Sequence, residues 1–82
     1  MYRILTEAKN VEEVKRVLIR LGLDYTVLRA EGSYLGAQER SLVIELDNAR
    51  RELVFTAAKQ IKDLNTQDAV LVQEIPVVSE MV

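Results

Sequence analysis

Residues 25–47, YTVLRAEGSYLGAQERSLVIELD, decide how this chain folds. Two β-rich runs, residues 25–30 and 41–46, flank a polar connection. In the first, Tyr25, Val27 and Arg29 share one face while Thr26, Leu28 and Ala30 share the other. In the second, Leu42, Ile44 and Leu46 alternate with Val43 and Glu45. A period of two predicts strands, and two such runs around a glycine-bearing link predict a hairpin. Residues 31–38 read as the connecting loop, with two of the chain's three glycines, Gly32 and Gly36. Glycine there permits φ > 0, a bulge, or close approach of another backbone or a ligand.

Working outward toward the N-terminus, residues 2–8 read as a short strand. Asn10 with Glu13 matches a capping box, in which each side chain satisfies a free backbone N–H at the helix start. Val11, Val14, Val17, Leu18 and Leu21 recur at helical spacing, and Glu12, Lys15, Arg16 and Arg20 fall opposite. Gly22 follows, where a left-handed residue ends a helix without a Cβ clash. Ile19 projects among the charges, either as an ordinary exposed apolar residue or as a contact between subunits.

Toward the C-terminus, Asp47 or Asn48 is placed to cap a second helix. Its apolar face is Leu53, Val54, Ala57, Ala58, Ile61 and Leu64. Arg50 and Arg51 at its start oppose the helix dipole, which a bound anion or simple solvation would offset. Residues 65–67 carry turn chemistry. Residues 68–75 read as the last strand, and Pro76 interrupts its ladder.

Strand, helix, strand, strand, helix, strand is the split βαβ order. The fold class is therefore α+β: a ferredoxin-like βαββαβ domain over residues 1–82, a four-stranded antiparallel sheet with two helices on one face. In Ala69-Val70-Leu71-Val72 apolar residues do not alternate with polar ones, so both faces of that strand call for cover. Two helices shield one face. A second copy is the expected cover for the other.

Composition agrees. A domain of 82 residues buries only about 60% of its unfolded surface, and such chains are commonly reinforced by disulfides, metals or self-association. With no Cys and no His, self-association is the remaining route. Charged residues make up 29%, the net charge is −2, and acids and bases are interspersed. No run approaches the ~18 apolar residues of a spanning helix, and no signal-peptide stretch opens the chain, so a cytoplasmic, membrane-free protein is expected. The acidic balance and the lack of aromatics on residues 42–46 speak against nucleic acid as a partner.

Catalysis lacks parts. Ser33, Ser41 and Ser79 have no histidine base, no G-x-x-x-x-G-K-[ST] phosphate loop occurs, and residues 9–10 are too short for an anion-cradling loop of the acylphosphatase kind. Glu31, Glu39 and Glu45 surround the hairpin, leaving carboxylate-assisted hydrolysis as the one enzymatic alternative. No cofactor is implied. The cluster with binding chemistry is the hairpin itself: Tyr34 to stack on a base, Arg29 and Arg40 to pair with phosphate oxygens, and Ser33, Gln38 and Ser41 to direct hydrogen bonds. The plainer reading packs Tyr34 at a subunit seam and leaves the arginines in surface ion pairs.

The run G-S-Y-L-G-A-Q-E-R-S-L-V-I-E-L, residues 32–46, resembles a group of small bacteriophage proteins with an aromatic-bearing Gly loop, a Gln/Glu pair and a Ser-Leu-x-Ile-Glu strand. Residues 61–72, I-K-D-L-N-T-Q-D-A-V-L-V, are similar to that group's last helix and strand. The aromatic-x-Gly hairpin and the Ile75-Pro76-Val77 ending also resemble CutA-type and PII-like trimers. Ser33 departs from the phage pattern's second aromatic, and the CutA-type metal residues have no His or Cys counterpart. The resemblance implies a homo-oligomer, a trimer or a multiple of one, with a small anionic ligand such as a nucleotide in clefts between subunits. In a phage setting it implies a sponge for a host immune signal, acting in the host cytoplasm. A protein-binding assembly or inhibitor module is the alternative.

Overall fold

The computed structural model describes residues 1–34 and 37–81, with the side chains of residues 33–39 outside the description. Its elements run β1 (Tyr2–Glu7), α1 (Val11–Arg20), β2 (Thr26–Tyr34), β3 (Ala37–Leu46), α2 (Arg51–Leu64) and β4 (Leu71–Glu74). The strands form one antiparallel sheet in the order β2-β3-β1-β4. This is the α+β architecture read from the sequence.

Register explains the core. Ile4 of β1 lies opposite Ile44 of β3 and Val72 of β4, and Ile44 lies opposite Val27 of β2. That row, with Leu46, packs against Val14, Val17 and Leu18 of α1 and Val54, Ala57, Ala58 and Ile61 of α2. Both helices therefore cover the same face. Small Ala57 and Ala58 keep α2 close to the sheet, whereas Leu64, read as part of its buried face, is 38% exposed.

Helix α1 ends as its sequence suggests. Gly22 takes φ 69°, its N–H donates to the Ile19 carbonyl (3.0 Å), and the Leu23 N–H reaches back to Leu18 (3.0 Å). These are the two bonds of a Schellman motif, sealed by the buried Leu18 and Leu23. Helix α2 ends the same way, from Thr66 to Asp63 (3.2 Å) and from Gln67 to Lys62 (3.0 Å). Here the left-handed position is occupied by Thr66, a β-branched residue at φ 53°.

The helix starts differ from the capping expectation. Asn10 sits at φ 50° without a side-chain cap, and its Nδ2 donates instead to Asn65 Oδ1 (2.9 Å). Asn65 in turn donates to Gln67 Oε1 (3.3 Å), which also accepts from Thr6 Oγ1. Thr6 and Asn65 are buried, so this chain of polar groups ties β1, both helices and the turn into β4 together. Tertiary bonding has taken the side chain that local sequence assigned to a cap. Before α2 the N-cap is Arg50, while Asn48 at φ 54° turns the chain out of β3. Strand β4 covers four residues rather than residues 68–75, because residues 65–69 are spent on that polar turn.

Candidate functional site

The connection read as a loop is mostly ladder. β2 and β3 stay paired out to Tyr34 opposite Ala37, so the polar stretch belongs to a two-stranded ribbon. β1 pairs with β3 only as far as Glu7 opposite Ser41, so the last four pairs, from Glu31 opposite Arg40 outward, have no third strand beside them. At about 3.3 Å per residue this arm projects on the order of 13 Å past the sheet. Gly32 lies in extended backbone with open space where a Cβ would stand, so neither a positive φ nor a close approach explains it.

Strand alternation then sorts the candidate residues. Arg29 lies opposite Leu42, and Arg40 two positions further along opposite Glu31, so both arginines occupy the helix-side face of the ribbon. Ser41 occupies the other face with Val43. The predicted cluster of Arg29, Arg40 and Ser41 is therefore split between two faces of one ribbon. Ser33, Tyr34 and Gln38 belong to the ladder by backbone, and their side chains lie outside the described residues.

A cleft of about 410 Å³ opens where β1 stops and the arm continues, lined by Glu7, Ala8, Lys9, Arg40 and Ser41. The Ala8 N–H donates to the Arg40 carbonyl (3.3 Å) and fixes its floor. Lys9 Nζ stands 2.9 Å from Glu7 Oε2, leaving Arg40 as a second cation at the rim. Sequence reading passed over Lys9 because only the β1–β3 register brings the end of β1 beside Arg40. Both partners of the Lys9–Glu7 bridge are more than half exposed, so its own contribution to stability is small. A larger open groove of about 630 Å³ lies between the helices, with Ile19 and Leu64 on its walls and Arg16, Arg20 and Asp63 at its margins. Arg51 is spoken for: its guanidinium lies 4.7 Å over the Phe55 ring and 3.7 Å from Glu74. A neighbouring ring and carboxylate offset its position at the helix start.

The face opposite the helices carries a straight apolar row. Leu28, Val43, Leu5 and Leu71 are successive register partners across all four strands. Leu28 is 47% and Leu71 53% exposed, with Leu5 and Val43 half-buried between them. Beside the row, Arg3 Nη2 donates to Glu45 Oε2 at 2.9 Å. Among the described residues no group of three or more His, Cys, Asp or Glu is placed to hold a metal ion, and no helix is long and apolar enough to cross a membrane.

No family model matches the chain, and no curated protein matches it in sequence. Its structure is similar to the crystal structure of CutA1 from Pyrococcus horikoshii, with a TM-score of 0.55 and 20% sequence identity over 98% of this chain and 88% of that one. The CutA-type resemblance thus holds as a shared fold over nearly the whole chain, and these matches carry nothing on bacteriophage proteins.

Proposed function

We propose that the chain works as a homo-oligomer, a trimer or a multiple of one, and binds a small anionic ligand without catalysing a reaction. The observation that supports this is the row Leu28–Val43–Leu5–Leu71. Four large apolar side chains aligned across an uncovered sheet face form a contiguous patch of the kind that marks an association surface. The partly buried Arg3–Glu45 bridge beside it supplies a polar margin.

The ligand reading draws on Lys9 and Arg40 at the cleft beneath the arm, with Ser41 as a hydrogen-bonding group and Arg29 on the same face as Arg40. Arg40, with Lys9 beside it bridged to Glu7, leaves one net positive charge at a concave edge for phosphate oxygens, and a nucleotide adds a base for Tyr34 to stack on. Sequestration of a host nucleotide signal by a phage-encoded sponge is the most specific form of this reading. An assembly or inhibitor module that docks a host protein on the same apolar row is the second reading.

Light scattering at micromolar concentration tests the assembly, and a monodisperse monomer contradicts it. Thermal-shift screening against mono-, di- and cyclic nucleotides tests the ligand; no shift at millimolar concentration removes it. Arg40→Ala is expected to weaken capture and leave the oligomer whole. Recovery of unaltered nucleotide from the heat-denatured complex supports binding over hydrolysis, and a cleaved product overturns the non-enzymatic reading.

A further inference from the structure

β4 is an edge strand, and its hydrogen-bonding direction can be read from its end. Ile75 and Met1 exchange both backbone bonds, at 2.8 Å and 3.2 Å. In an antiparallel ladder such pairs alternate, so Gln73 with Arg3 and Leu71 with Leu5 are the other bonded pairs. The N–H and C=O groups of Val72 and Glu74 therefore point away from β1, into the space beyond the sheet. Such an edge is a template for another strand.

Beside that edge lies a crevice of about 350 Å³, lined by Phe55, Ala58, Lys59, Lys62, Val70 and Val72. Its interior is apolar, and Phe55 is 45% exposed. Arg51 is stacked on Phe55 and bridged to Glu74, so its charge is engaged. Lys59 and Lys62 line the crevice, with no ion-pair partner among the described residues. The segment that fits is extended, apolar at one position, and acidic two positions later.

The chain carries that pattern after Pro76: Val77-Val78-Ser79-Glu80-Met81, in which Val78 and Glu80 share a face. Val78 is 95% exposed and Met81 fully so, so both keep their apolar surface uncovered in the single chain. Pro76 lacks an N–H and suits the first position of a strand. Folding back onto its own β4 would require a reversal through Pro76 and Val77. Neither readily takes the positive φ that tight hairpin turns use, and the reversal would bring Val78 opposite Ile75 rather than Val72.

We propose that residues 77–81 of one copy add as an antiparallel strand to the β4 edge of a second copy. Val78 lies opposite Val72 in the crevice, and Glu80 lies opposite Val70 between Lys59 and Lys62. This contact makes no use of the Leu28–Val43–Leu5–Leu71 row, so either can fail alone.

The chain has no cysteine, so introduced thiols are the only ones. A bonded antiparallel pair has Cα atoms about 5.5 Å apart, within disulfide range. Mixing differently tagged Val78→Cys and Val72→Cys chains under mild oxidation is expected to give a mixed disulfide dimer. Glu80→Lys is expected to abolish it, and adding Lys59→Glu with Lys62→Glu to the Val72→Cys chain is expected to restore it. Leu28→Glu, which targets the open face, is expected to leave it intact. Absence of the mixed dimer overturns the proposal, as does an intrachain disulfide in the double-cysteine chain with none between chains. Should Val72→Cys fold poorly, sedimentation velocity of the cysteine-free chain decides. Glu80→Lys then shifts the boundary to smaller species and the charge-reversed triple variant reverses that shift; an unmoved boundary overturns the contact.

Discussion

The two faces of the sheet are built from the same kinds of residue and do different work. On the helix side, Ile4, Leu42, Ile44 and Leu46 are wholly buried. One residue away along the same strands, Leu5 and Val43 are half-buried, and Leu28 and Leu71 beside them are about half exposed. Pleating alone separates the sets. The covered face gains the burial and dispersion that stabilise the single chain, and the open face retains most of that potential until something covers it. Fold stability and association are thus distributed to opposite sides of one sheet.

Truncating one neighbour from each side separates the two roles. Ile44→Ala is expected to cost about 2–5 kcal/mol in urea denaturation, because a cavity opens under both helices. Val43→Ala, measured on dilute protein, is expected to cost less, about 1 kcal/mol, since part of its surface is already wet. Equal losses would mean the open face is covered within the chain.

Next in size is the polar tie beneath the helix layer. Asn65→Ala removes the acceptor for Asn10 and one donor to Gln67, and is expected to cost about 1–3 kcal/mol by the same assay. An unchanged midpoint would show that water replaces the whole network. A gain is expected one residue later. Thr66→Gly relieves a β-branched residue at φ 53° and is expected to stabilise the chain by about 1 kcal/mol. Light scattering should be unaffected, because that helix end does not reach the open face.

The smallest change in folding free energy is expected from Leu28→Glu, within about 0.5 kcal/mol for the isolated chain. Its effect belongs to assembly. Light scattering should report a smaller species than the parent chain forms at the same concentration, and an undisturbed oligomer would remove the apolar row from the interface.

Much of the fold was legible because local periodicity and burial agree. Val14, Val17 and Leu18 on α1, and Leu42, Ile44 and Leu46 on β3, are core residues in the sequence pattern and in the structure alike. Gly22 behaves as a glycine after a helix should. The departures occur where a side chain had a choice. Asn10 and Asn48 can cap a helix through their side chains or adopt a left-handed turn, and both take the turn, Asn10 with its side chain bonded to Asn65. Residues 31–34 and 37–38 look like loop by composition, yet the β2–β3 ladder holds their backbone as strand, since main-chain pairing does not depend on apolar side chains.

The amino-acid order was enough for the element order and the two amphipathic helices, which follow from periodicities of 3.6 and 2, and for the apolar surplus on the last strand, which follows from the loss of alternation in residues 69–72. Tertiary structure alone decided which residues become neighbours across strands. It aligned Leu28, Val43, Leu5 and Leu71, sent Arg40 and Ser41 to opposite faces, and brought Lys9 beside Arg40. The physical reason is register: a shift of one residue between strands turns every side chain to the other face, and register is settled by the whole core at once.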